Sequence, residues 1–399
     1  MERRSPSPTP PPAPVLVAGE PRFVNAMRLS LRQWTLVASF LAAVLLATPW
    51  VWQRIERFDT GLDYRIPYAL SKDYWLYERR LHRITPSQIA VVGDSVVWGE
   101  YVRPDGTLSH FLNEQSETPG RFLNAGVNGL FPLALEGLVR YYGGSLHGGR
   151  VLLHCNVLWM SSPKADLHTE KEQRFNHADL VPQFLPRIPC YRASADQRLA
   201  AVVDRHFTFA QWVNHLQNAY FQQQNFLQWT LDETSGNPPS HPNAFKNPFA
   251  QITLTVPAER TDDPDRGPDS PRHKPWSTTG RGTTRFDWVP LEDSLQWAAF
   301  QRLVTLLQAR NNDVLVVVGP FNEHIMAEEN LPAFRRLREG IVTWLVEHHV
   351  KHIVPAVLPS ELYADASHPL TEGYRLLAEG LLSESVTRAW LGNDRTAVR

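Results

Sequence analysis

The chain has 399 residues, 43% of them hydrophobic and 20% charged, with a formal net charge of −1. That is material for one large domain or two ordinary ones, and its charge balance offers no field to draw in nucleic acid or an acidic polymer. Two cysteines, Cys155 and Cys190, exclude a disulfide framework and lack the paired spacing of a zinc site. They read as buried thiols, with a single bridge as the alternative.

Residues 1–33 form a Pro-, Ser- and Ala-rich N-terminus that is expected to be disordered, because it has too little apolar surface to bury. From Trp34 the run WTLVASFLAAVLLATPWVW carries no charge and is long enough to span the hydrocarbon layer, so residues 34–53 are expected to form a transmembrane helix. Trp34 at one end, and Trp50 and Trp52 at the other, suit the two interfaces. A cleaved signal peptide is the rival, although no A-x-A site follows the apolar run. Arg3, Arg4, Arg22, Arg28 and Arg32 precede the run, whereas acids and bases are mixed beyond it. The bias places the N-terminus in the cytoplasm and residues 54–399 in the periplasm or cell exterior.

Beyond the anchor, apolar runs at Gln88–Val92, Arg121–Leu123, Val151–Cys155, Asp313–Val318 and His352–Val354 read as buried strands of a parallel sheet. Helical patterns cover Leu291–Ala309, Leu331–His348 and Thr371–Trp390. Strand alternating with helix predicts a three-layer α/β domain. The alternation breaks at about residues 160–290, read as one insertion: helical near 195–232, then loop-like over 234–285. Thirteen Trp and thirty-two Pro suggest a loop-rich surface with aromatic platforms, as on carbohydrate-facing proteins.

Four blocks carry chemistry. In IAVVGDSVVWGE an apolar strand runs into Gly93-Asp94-Ser95, which puts Ser95 at the carboxyl edge of the sheet and at the start of a helix, where its N–H can face an oxyanion. The plain alternative is that Ser95 only caps that helix. In YADASHPLTEGY, Asp365 and His368 stand three apart before a helical run, so one turn can supply a base and the carboxylate that orients it. Between them, Asn124-Ala-Gly126 offers a backbone N–H, and RVLLHCNVLWM ends a strand at Asn156, whose amide suits an oxyanion hole. His154, Trp98 and Trp159 are placed to flank the site, with a core or rim position as the alternative, and Trp98 is a candidate for the substrate pocket. Asn322 and His324, in GPFNEHIM after another strand, are candidates for the substrate pocket. His348, His349 and His352 diverge on a helix end and lack zinc spacing, so no metal is expected. No phosphate or dinucleotide loop is found.

In this order, each beside a strand end, the four blocks resemble the SGNH (GDSL) hydrolase family over about residues 85–385, the insertion apart. The resemblance implies Ser95 as nucleophile, Asp365 and His368 as acid and base, and Gly126 and Asn156 in the oxyanion hole. It also implies a flavodoxin-like three-layer fold and chemistry that needs no cofactor. This chain reads GDSVVWG where the family usually continues with Leu and a small residue, and HCNVLWM where the family usually has G-x-N-D. In layout it looks closest to membrane-anchored SGNH-like proteins of polysaccharide O-acetylation or cell-wall modification. That likeness implies a serine esterase or O-acyltransferase acting on an acylated envelope glycan or another ester, with a membrane-bound acyltransferase as a candidate partner. The alternative is a catalytically idle, glycan-binding component of a modification or export complex.

Overall fold

The computed structural model describes residues 29–58, 61, 65–118, 120–231, 246–257 and 273–392. The expectation of a disordered N-terminus falls mostly on residues outside these, as does much of the loop expected at 234–285. The chain divides after Ala47 into two units.

Helix α1, Leu31–Ile55, extends a little beyond the apolar run at both ends. At 25 residues it measures about 37 Å against a hydrocarbon layer of about 30 Å, and it is apolar enough to cross a membrane.

The second unit is an α/β domain. After α2 (Tyr74–Leu81) come β1 (Ile89–Gly93), α3 (Ser95–Trp98), α4 (Leu108–Gln115), β2 (Phe122–Gly126), α5 (Pro132–Tyr142) and β3 (Arg150–Cys155). The insertion contributes α6 (Ala195–His206), α7 (Thr208–Tyr220), α8 (Phe226–Leu231) and α9 (Pro248–Gln251). The alternation then resumes with α10 (Leu295–Ala309), β4 (Asp313–Val318), α11 (Leu331–Glu347), β5 (Lys351–Ile353), α12 (Thr371–Ser383) and α13 (Ser385–Gly392). The single long helix expected over Thr371–Trp390 is therefore two, broken at Glu384, whose backbone is extended.

All five strands are parallel, in the order β2-β1-β3-β4-β5. Their near-continuous Val, Ile and Leu content suits burial on both faces. Alternate residues point to opposite sides. Ala90, Val92, Val151, Leu153 and Val316 join a core with α2, α5, α10 and α11. Ile89, Val91, Leu152, Leu315 and Val317 join a second core with α3, α4 and α12. The order reverses between β1 and β3, and in open α/β sheets a crevice forms at the carboxyl end of such a point. Gly93 and Cys155, followed by Ser95 and Asn156, end at that crevice.

Within the insertion, α6 and α7 pack on each other, and on α5 and α2. A buried polar cluster ties this assembly to the residues that follow α1. Glu56 accepts from Trp52 Nε1 (3.0 Å), His215 Nε2 (2.8 Å), Tyr220 Oη (2.6 Å) and Arg79, and His215 Nδ1 meets Asp73 Oδ2 at 2.7 Å. Cys155 and Cys190 are both buried and unbridged.

Candidate active site

Ser95 is the first residue of α3, and Asp94 caps it by accepting from the Val96 N–H at 3.0 Å. The strand must turn here with almost no clearance: a β-carbon on Gly93 would lie 2.5 Å from Val97 Cγ2 and 2.8 Å from His154 Cβ. Across the crevice, the turn before α12 presents His368. Its Nε2 lies 2.8 Å from Ser95 Oγ, although the two are 273 residues apart in sequence. Its Nδ1 lies 2.8 Å from both carboxylate oxygens of Asp365. Asp365 Oδ1 also accepts from the backbone N–H groups of Ser367 (2.9 Å) and His368 (3.0 Å), which closes the turn. Ser95, His368 and Asp365 are thus one hydrogen-bonded chain with the geometry of an activated hydroxyl.

Burial opposes charge on both Asp365 and His368, but each charge stabilises the other. The net result holds Asp365 below the usual carboxylate range and raises His368 above 6.5, with Asp94 and Glu100 adding to the rise. Burial likewise works against ionised Asp94, yet His154 and Asn156 outweigh it and keep the carboxyl well below its ordinary value. Four donors converge there: the Val96 N–H, His154 Nδ1 (3.0 Å), Asn156 Nδ2 (2.7 Å) and Trp159 Nε1 (2.9 Å). Because His154 Nε2 is buried without a partner, its proton belongs on Nδ1, facing Asp94.

The remaining expected site residues stand differently. The Gly126 N–H donates to Asn124 Oδ1 at 3.0 Å, and a β-carbon there would lie 2.4 Å from the Trp98 backbone nitrogen. Gly126 is the glycine that lets β2 close on α3, and its N–H is already engaged, so it is not an open oxyanion donor. Asn156 lies beside Asp94, with its Nδ2 also 3.4 Å from Ser367 Oγ. That longer contact leaves one amide hydrogen weakly held. The Ser95 N–H opens the first turn of α3, where helices leave donors without intrahelical partners. Trp98 is buried, with Nε1 donating to the Ile66 carbonyl at 2.6 Å, so it is core rather than pocket wall. Asn322 is also fully buried. Its Nδ2 donates to the Asp365 carbonyl (3.1 Å) and its N–H to the Ala366 carbonyl (2.8 Å), so it holds the Asp365–His368 turn rather than lining a pocket. His324 is exposed and is bonded to the Leu358 carbonyl at 3.1 Å, a different contact from the pocket role expected of it.

Two features of the site have no signature in the sequence. Tyr101 meets the His368 ring edge-on at 5.3 Å, and the returning end of the insertion bonds to the loop before His368 through Trp276 N–H to the Tyr363 carbonyl at 2.7 Å. Nothing in either segment's spacing signals these contacts, which join residues far apart in the chain. Asp94 did carry a signal: a carboxylate after an all-apolar strand must find donors. No protein-family model and no curated protein sequence matches the chain.

Proposed function

We propose that the chain is a serine esterase or O-acyltransferase of the SGNH/GDSL type, held in the membrane by α1, whose substrate is an acylated envelope glycan or another ester outside the cytoplasm. The observation that carries this reading is the continuous contact from Ser95 Oγ through His368 to Asp365 at the switch point of the sheet.

In this mechanism His368 Nε2 takes the Ser95 proton as Oγ attacks the ester carbonyl, and Asp365 stabilises the imidazolium. The oxyanion collects the Ser95 N–H and the weakly held hydrogen of Asn156 Nδ2. Collapse expels the alcohol, protonated by His368, and leaves an acyl group on Ser95. Water (esterase) or a sugar hydroxyl (transferase) then takes the acyl group by the same steps in reverse order.

One observation favours a second reading, an idle glycan-binding component: the Gly126 N–H expected in the oxyanion hole is engaged elsewhere. Turnover of p-nitrophenyl acetate by the full chain in detergent decides between them. Ser95→Ala is expected to cost about a thousandfold or more in kcat. Equal inertness of wild type and variant, with acetyl donors and sugar acceptors also tried, would displace the esterase and transferase readings together.

A further inference from the structure

The insertion carries an unusual surface. Residues 221–231, FQQQNFLQWTL, contain no charged side chain, and residues 246–257, KNPFAQITLTVP, contain only Lys246. Yet both segments face outward. Phe226, Leu227, Leu231 and Leu254 are exposed, and Phe249 is 79% exposed. A surface of this kind, with large apolar side chains among amides and hydroxyls and without acids, is poorly matched to bulk water. Phe221 backs it from within, its ring against Phe226 (5.8 Å) and Trp229 (5.3 Å).

What these segments are attached to identifies what covers them. The Arg57 N–H donates to the Leu254 carbonyl at 2.9 Å, and the Val256 N–H donates back to the Arg57 carbonyl at 2.9 Å. Gln251 Nε2 donates to the Tyr220 carbonyl (3.0 Å), and Tyr220 is bonded to Glu56. Trp52 packs edge-on against Trp212 at 5.6 Å. Residues 246–257 are therefore fastened to Arg57 directly, and residues 221–231 follow on from Tyr220, which is bonded to Glu56, in the stretch where the chain leaves α1. From Trp52, the last residue of the apolar run, to Arg57 is about 8–11 Å along the chain. A headgroup layer is about 5–8 Å deep on one side. Exposed Arg54 and Arg57 add positive charge at this level, beside Trp50, as interfacial segments do.

We infer that residues 221–231 and 246–256 form a lipid-contacting collar around the point where the chain emerges, with Phe226, Leu227, Leu231, Phe249 and Leu254 entering the outer interface of the bilayer. The inference rests on the reading of α1 as a membrane anchor. It gives the insertion a role at the membrane surface.

The test uses the full chain in nanodiscs of brominated or ordinary phosphatidylcholine. Both native thiols are buried, so an environment-sensitive maleimide reports on an introduced cysteine, with unlabelled wild type as the check. Leu227→Cys and Phe249→Cys are expected to lose about twofold in fluorescence in brominated lipid, because a face buried about 5–10 Å lies within reach of acyl-chain bromines. Val346→Cys, at an exposed position of α11, is expected to show no change. Quenching at Leu41→Cys in α1, with none at 227 and 249, would overturn the collar while the anchor stands. That is also the outcome if a membrane protein rather than lipid covers the surface. Absence of quenching at all four positions would remove the anchor reading and the collar with it.

Discussion

His368 must be neutral to accept the Ser95 proton, and it sits among the carboxylates of Asp365, Asp94 and Glu100, which outweigh burial and raise its pKa above 6.5. A base with a raised pKa becomes competent only as pH climbs. Under the proposed mechanism, kcat/KM should therefore rise with pH and level off above 6.5, which a pH profile with a neutral ester measures directly. Asp94 makes a sharper case. It touches no reacting atom, but it gathers His154, Asn156, Trp159 and the first turn of α3 around one buried charge. Asp94→Asn should lower kcat by about tenfold or more with little change in KM. It should also move the acidic limb of the profile to lower pH, because one of the charges holding His368 protonated is gone. A purely structural role would reduce the amount of folded enzyme and leave the limb in place.

At the scale of elements, α2, α7 and the residues after α1 are joined through buried charge. Burial alone would lower the pKa of His215, but Asp73 and Glu56 on its two nitrogens raise it to about 9 from 6.5. Burial would raise that of Glu56, but His215, Tyr220 and Arg79 lower it to about 2 from 4.5. The raised histidine contributes stability that is complete below pH 6.5 and is lost as pH climbs toward 9. The depressed carboxylate contributes stability that is complete above pH 4.5 and is lost as pH falls toward 2. Thermal unfolding should therefore show its highest Tm between about pH 4.5 and 6.5 from this cluster. His215→Gln should lower Tm in that window and flatten the decline between pH 6.5 and 9. An unchanged decline would place the pH dependence elsewhere. Removing one member of such a cluster strands the others, so a loss of about 3–5 kcal/mol is expected.

For the whole molecule, the proposal joins a single apolar helix to a hydrolase domain, and the two make separable predictions. The full chain should remain in the membrane pellet after alkaline carbonate extraction, whereas release into the supernatant would mean that α1 is cleaved or peripheral. The insertion returns to the sheet beside the Asp365–His368 turn, through Trp276 and Tyr363, and its earlier part is fastened to Arg57 through Leu254 and Val256. The Ser95–His368 crevice and the residues at the end of α1 are thus connected through one continuous piece of chain.

The apolar helix, the five strands and the Ser-His-Asp set are legible in the residues alone, because each is written locally: a charge-free run, apolar strands, a Gly-Asp-Ser at a strand end, an Asp three residues before a His. Strand ends moved by a residue or a few, and one helix proved to be two. Where each donor points is a matter of the folded chain. Gly126 and Asn322 looked like site residues because they follow strands, but hydrogen bonds are satisfied by whichever partner is nearest in space. Asn124 claims the first and the Asp365–His368 turn claims the second. Trp98 was lost to the pocket for the same reason: β2 closes on α3 and the loop at Ile66 accepts its indole, contacts between residues distant in the chain. The proposed collar is equally out of sight in the sequence, since it depends on an insertion far downstream folding back onto the end of α1.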